Sequence, residues 1–176
     1  MFFRHANRVA IVLAFFSVLL LSSNPLCAQE WPLKNKSIQL LIGFAAGSGT
    51  DAGARLMAAG VEKELGASVL PINKPGASSQ LMYTELAKAK PDGYTMGTIN
   101  FPSAIVCSID PDRKATYTKN NFSLLALHVI DPGIIAVLPN SPYQTLGDLI
   151  AAAKANPRKI TITTSGVQSD EHFALL

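Results

Sequence analysis

The sequence predicts an α/β protein whose parallel sheet is flanked by helices on both faces. Short apolar runs of strand length alternate with stretches of helical periodicity, and loops rich in small residues follow the runs. Hydrophobic residues make up 48% of the 176 residues and charged residues 15%, a balance that excludes a disordered chain. A β-loop-α-β order implies parallel strands joined by right-handed crossover helices.

Residues 1–28 are predicted to be a secretory signal peptide. Arg4 and Arg8 supply its positive start, residues 9–21 form a largely apolar run, and a stretch of small or polar residues ends at Ala28. The run is shorter than the about 20 apolar residues that a membrane span needs. We therefore expect export and cleavage after Ala28, with an uncleaved anchor as the alternative.

A β-α-β-α-β pattern follows the signal peptide. Its strands are predicted over residues 37–42, 68–72 and 94–98, and its helices over residues 51–65 and 80–88. The first helix is expected to be capped by Thr50 or Asp51 and to end at Gly66. One side of this helix is expected to carry its apolar residues, namely Leu56, Met57, Val61 and Leu65.

The second half of the chain continues the alternation less regularly. Further strands are predicted over residues 122–129, 133–138 and 160–163, and a helix over residues 146–154 that Thr145 caps. Ser169 is expected to cap a last helix. Cys107 is the one cysteine beyond the signal peptide, and its apolar neighbours favour a buried thiol without a disulfide partner.

Three loops of this pattern have the composition of an anion site. Residues 44–50, 73–79 and 164–169 are rich in Gly, Ser and Thr, and each loop leads from a predicted strand into a helix. Ligands of open α/β sheets bind outside the carboxyl ends of the strands. Helix N-termini offer unpaired N–H groups and partial positive charge there, so a small carboxylate is the expected guest. Turn chemistry alone is the alternative explanation.

Other functional classes lack their sequence signals. A net charge of +3 without a basic stripe argues against nucleic-acid binding, and three scattered histidines argue against a zinc site. The run from Gly47 to Ala52 fits a dinucleotide-binding pattern, but the second strand ends without the acidic residue that a ribose requires. Ser165 and His172, with Asp170 or Glu171 nearby, leave a secreted hydrolase as the alternative from a different class.

Several motifs together resemble one family. Residues 43–51, 73–77, 87–95 and 149–157, followed by Ser165 and Gly166, are similar in sequence and in order to motifs of the Bug/TctC family. These are the periplasmic solute-binding proteins of tripartite tricarboxylate transporters. The likeness runs from about Trp31 to the last residue.

The resemblance implies a two-lobed fold like that of type II periplasmic binding proteins. The first lobe would comprise residues 29–100 and the second lobe residues 101–176. Because the family continues beyond the equivalent of Leu176, the second lobe is expected to be incomplete, and a non-functional fragment is a further alternative. The implied ligand is a small carboxylate, either a di- or tricarboxylate or an acidic amino acid, which is delivered to membrane permease subunits without catalysis, cofactor or metal.

The resemblance also implies the binding residues. Asp51 would open the helix and hold the first loop, or would contact an amino group of the ligand, whereas His172 would be structural or lie at the rim of the site. The sequence departs from the family pattern at Ala46, where proline is frequent, at Ser78 and Ser79, which replace a glycine pair, and at Gln168, which replaces a glycine. The implied ligand-binding residues are Phe44, Ala45, Ala46, Gly47, Ser48, Thr50, Asp51, Thr164, Ser165, Gly166 and Ser169.

Overall fold

The computed structural model describes residues 30–176, and the predicted signal peptide at residues 1–28 lies outside them. Residues 34–176 form one compact unit, here called the second unit because it follows the N-terminal segment, and every helix and strand given below belongs to it. Within the described range, the helices are too short or too polar to cross a membrane.

A three-stranded parallel sheet forms the centre of the second unit. The strands are β1 (Ile38–Ile42), β2 (Val69–Asn73) and β3 (Thr95–Gly97), in the order β2-β1-β3. Ile38 lies opposite Val69, and Gln39 lies opposite Thr95. The predicted parallel strands are therefore confirmed to within one residue at each end.

The central strand contributes to two separate cores, one on each face of the sheet. Helix α1 (Gly49–Leu65) packs on the face that carries Ile38, Leu40 and Ile42, and helix α2 (Gln80–Lys88) packs on the face that carries Leu41. A strand that is covered on both faces carries apolar residues on both sides, as β1 does at Leu40, Leu41 and Ile42. The prediction of helices on both faces is confirmed.

The start and the packing of α1 differ from the prediction. Ser48 caps the helix instead of Thr50 or Asp51, because its hydroxyl accepts a hydrogen bond from the Asp51 N–H at 3.2 Å. The helix packs through Ala54 and Ala58, and the predicted Met57 and Val61 pack against the same core, whereas Leu56 is 77% exposed. Small alanines four residues apart bring the helix close to the sheet, and this contact decides which side is buried.

The second half of the chain contains short helices. They are α3 (Ser103–Ile109), α4 (Leu146–Ala155) and α5 (Asp170–Phe173), with single 3-10 turns at Pro111–Arg113 and Lys119–Asn121. The predicted caps Thr145 and Ser169 are confirmed. Helix α3 was not predicted. It buries Cys107, whose thiol is free and whose pKa is raised by burial.

The predicted strands over residues 122–129, 133–138 and 160–163 are wrong. The structure describes these residues as extended or irregular chain outside the sheet. Many of their apolar side chains are exposed, with Leu125 at 79% and Ile134 at 83%. An apolar run becomes a strand only when a neighbouring strand takes its backbone hydrogen bonds, and none of residues 30–176 provides that neighbour here.

Candidate functional site

The first loop comprises residues 44–50, which lead from β1 into the first turn of α1. Two hydrogen bonds, one on each side of Ser48, hold the loop in a tight turn. The Asp51 carboxylate accepts a hydrogen bond from the Gly47 N–H at 2.9 Å, while Ser48 caps the helix. Gly47 has a φ of 84°, a left-handed conformation that glycine adopts without steric cost. The turn therefore keeps its shape without a ligand.

This loop presents backbone donors that the protein does not use. In the part of the chain that the structure describes, five N–H groups donate no hydrogen bond to the protein, those of Phe44, Ala45, Ala46, Gly49 and Thr50. Ala45, Ala46 and Gly47 are exposed. The donors precede or begin a helix of 17 residues, whose N-terminus carries partial positive charge. The first loop can thus receive an anion.

Asp51 is bound on all sides by donors of the protein. Its carboxylate accepts hydrogen bonds from Arg55 Nε at 3.0 and 3.1 Å and from Asn73 Nδ2 at 2.8 Å, in addition to the Gly47 N–H. The side chain is 5% exposed. The Arg55 hydrogen bond, followed by those of Gly47 and Asn73, lowers the pKa of Asp51 from 3.8 to about 2. Asp51 is therefore ionised, and both oxygens of its carboxylate already accept hydrogen bonds from the protein.

The low pKa of Asp51 predicts a pH-dependent stability. A carboxyl with a lowered pKa in the folded state stabilises the protein above about pH 4, and this stabilisation is lost as the pH falls towards about 2. We expect Asp51→Asn to reduce the slope of unfolding free energy against pH across that interval. Urea unfolding at a series of pH values measures the slope. The exposed Asp131→Asn is the matched control, and an equal reduction in both variants would contradict the prediction.

The second loop, residues 73–79, lies directly against the first loop. Asn73 Nδ2 donates to the Phe44 carbonyl at 3.0 Å, and the buried Ser79 hydroxyl donates to the Gly43 carbonyl at 3.0 Å. A Cβ atom on Gly43 would lie 2.3 Å from the Cβ of Ser79, so only glycine fits at this position. These contacts join the ends of β1 and β2.

Three consecutive residues of the second loop have left-handed backbones. The φ values of Ala77, Ser78 and Ser79 are 49°, 54° and 69°. Residues with a Cβ atom adopt this region at a cost, which explains why a glycine pair suits positions 78 and 79. Both serine hydroxyls donate to carbonyl groups of neighbouring segments, and these hydrogen bonds offset the cost.

The third loop, residues 164–169, contacts the second loop. The Ser78 hydroxyl donates to the Val167 carbonyl at 2.7 Å, and a Cβ atom on Gly166 would lie 3.0 Å from the Ser78 Oγ. Within the loop, the Thr164 hydroxyl donates to the Gly166 carbonyl at 3.3 Å, and Ser169 is buried as the cap of α5. The structure therefore brings all three loops together in a row, with the second loop in the middle.

The Ser165 and His172 side chains have other partners than each other. The Ser165 hydroxyl donates to Glu171 Oε2 at 2.7 Å, and His172 Nδ1 accepts from the Gln168 N–H at 3.2 Å. A hydrolase needs the serine hydroxyl bonded to a base that is itself oriented, and the imidazole does not take that place here. Across residues 30–176, no group of three His, Cys, Asp or Glu side chains is placed to hold a metal ion.

The sequence prediction did not include several residues that organise these loops. Asn73 lies in a predicted loop, and no sequence pattern gives it a role, although it joins Asp51 to Phe44. Arg113 belongs to no predicted element or motif, yet its guanidinium contacts the second and third loops. An isolated arginine in an irregular segment carries no local signal, because its role depends on residues far away in the chain.

Comparison with known proteins identifies relatives over most of the chain. A family model described as the tripartite tricarboxylate transporter family receptor, TctC, matches residues 53–175. A UPF0065 protein in the gbd 5′ region of Cupriavidus necator is 32% identical over 98% of this chain and 52% of its own length. Protein BugT of Bordetella pertussis is 25% identical over 95% of this chain and 51% of its own length.

A solved structure shares the fold. It is that of an R. palustris protein with adipate, which superimposes with a TM-score of 0.58 at 24% identity and covers 74% of this chain and 43% of the other. The chain spans about half the length of the curated relatives it matches.

Proposed function

The chain belongs to the tripartite tricarboxylate transporter receptor family, TctC, and we propose that it is a periplasmic solute-binding protein that captures a small carboxylate for the membrane permease of such a transporter. The protein binds this ligand and releases it without changing it chemically. Residues 29–100 contribute one lobe of the binding protein and residues 101–176 contribute part of the other. A signal peptide at residues 1–28 directs the chain to the periplasm.

The observation that carries this proposal is the set of unused backbone donors in the first loop. Five N–H groups that lie before or at the start of α1 have no acceptor among the described residues. A carboxylate supplies oxygen acceptors for such donors and is favoured by the helix dipole. We place the ligand carboxylate against residues 44–51, with Thr164, Ser165, Gly166 and Ser169 of the third loop as its second contact.

The saturation of Asp51 supports a narrower ligand class. An acidic amino acid brings an ammonium group that needs an acceptor, and a free Asp51 carboxylate would be a suitable one. Asp51 already accepts from Arg55, Asn73 and Gly47, so an ammonium group would have to displace one of these donors. The proposed ligand is therefore a di- or tricarboxylate without an amino group.

Titration calorimetry of the full chain tests the proposal. The panel comprises succinate, adipate and citrate, together with aspartate and glutamate as the matched amino acids. We expect heat of binding from at least one of the three acids that lack an amino group, at least about tenfold tighter binding than for the amino acid of closest size, and unchanged ligand on recovery. An absence of binding to every acid, or a preference for aspartate or glutamate, would contradict the proposal.

A further inference from the structure

Gln168 bridges two charged side chains next to the third loop. Its Oε1 accepts a hydrogen bond from Arg113 Nε at 2.7 Å, and its Nε2 donates to the Asp110 carboxylate. All three residues are partly buried. An amide can accept from a guanidinium through its oxygen and donate to a carboxylate through its nitrogen, whereas glutamate has no donor at neutral pH and lysine has no acceptor.

Arg113 connects this bridge to two loops of the candidate site. Its Nη2 donates to the Val167 carbonyl of the third loop, and its Nη1 donates to the Ala77 carbonyl of the second loop at 3.3 Å. Arg113 is also an acceptor, because its carbonyl receives a hydrogen bond from Gln80 Nε2, at the start of α2, at 2.9 Å. One arginine thus ties the third loop, the second loop and the 3-10 turn that contains it.

We propose that Gln168, Arg113 and Asp110 form a latch that positions the third loop against the second loop, and through it against the first loop. The latch residues are positioning residues, because they act on the loop backbone and not on the ligand. This inference rests on the proposed function, since the third loop is one of the two segments assigned to the carboxylate.

The backbone of Gln168 supports a role for its side chain. Its φ of 65° lies in the left-handed region, where glycine has no steric cost and a residue with a Cβ atom has one. The two hydrogen bonds of the side chain, both to charged groups, offset this cost. A glycine at position 168 would relieve the backbone but leave Arg113 and Asp110 without their common partner.

The latch is tested by exchanging the donor and the acceptor of the hydrogen bond between Gln168 and Asp110. In Gln168→Glu, a carboxylate faces Asp110 and repels it. In Asp110→Asn, Oδ1 keeps its bond to the Asp112 N–H, so the amide nitrogen is turned toward the Gln168 Nε2 donor. The double variant restores a donor at position 110 and an acceptor at position 168, and it has the net charge of the original chain. Hydrogen–deuterium exchange of residues 164–169 and calorimetry with the tightest acid of the panel are measured on all four proteins.

We expect each single variant to exchange about tenfold faster over residues 164–169 than the original chain and to bind the acid at least about fivefold more weakly. In the double variant, both the exchange rate and the affinity are expected to return to within about threefold of the original chain. Thermal unfolding establishes that all four chains are folded. Unchanged exchange in the single variants, or no recovery in the double variant, would overturn the latch. Equal affinity for the acid in all four proteins would overturn the positioning role of the latch but not the proposed function. If the original chain binds no acid, the positioning role and the proposed function are both overturned.

Discussion

Replacing Gly49 by proline is expected to weaken carboxylate binding by about tenfold or more, without loss of the helix. Gly49 is the first residue of α1 and follows the capping residue Ser48. Proline is favoured at this position, because its φ suits the helix and its missing N–H has no intrahelical acceptor. The substitution therefore removes one of the five unused donors, and a hydrogen bond to a charged group contributes about 1.5–3 kcal/mol.

The local structure at Gly49 accepts the proline. Ser48 has a φ of −69° and a ψ of 161°, the extended conformation that a residue before proline prefers. A Cβ atom on Gly49 would meet no other atom within 4 Å. Gly49→Ala is the matched control, since alanine adds a Cβ atom and keeps the N–H, and we expect its affinity to stay within about threefold of the original chain. Calorimetry of both variants measures the difference, and equal affinities would argue against a carboxylate at this helix end.

Replacing Gly43 by alanine is expected to destabilise the protein by about 1–3 kcal/mol, the usual cost of forcing extra volume into packed structure. The added Cβ atom would lie 2.3 Å from the Ser79 Cβ and 3.2 Å from its Cα, and Ser79 is buried at the start of α2. Relief requires movement of the second loop away from the first loop. Urea unfolding gives the change in free energy, and calorimetry shows whether the separated loops still bind the acid.

Two further variants make this prediction specific. Gly60→Ala places the same added atom in the middle of α1 with nothing within 4 Å, and alanine is the better helix former, so we expect a gain of up to about 1 kcal/mol. Adding Ser79→Gly to Gly43→Ala removes the atom that clashes and is expected to recover part of the lost stability. A neutral Gly43→Ala, or strictly additive effects in the double variant, would contradict the close contact between the loops.

The sheet and the two helices that pack on it were predictable because their signals are local. Each apolar run has strand length, each helix has its own periodicity, and the intervening turns contain the residues that turns require. The consecutive apolar residues Leu40, Leu41 and Ile42 indicate a buried strand. The same local logic identified Thr145 and Ser169 as helix caps.

In the second half of the chain, the same local signals gave wrong strand predictions. Residues 122–129 and 133–138 have strand-like composition, yet they lie outside the sheet and most of their side chains are exposed. Composition indicates which segments favour an extended backbone, but strand formation depends on a partner for the hydrogen bonds. Along α1, the apolar periodicity likewise did not reveal that alanines, and not Leu56, face the sheet.

By itself, the sequence determined the alternation of strands and helices up to β3, the family motifs and the three small-residue loops, because these depend on neighbours within a few positions. The tertiary structure decided how the loops meet. The Ser79 hydroxyl reaches the Gly43 carbonyl 36 positions away, and the Ser78 hydroxyl reaches the Val167 carbonyl 89 positions away. Hydrogen bonds between such distant residues follow from the packing of the helices on the sheet, so no local pattern indicates them.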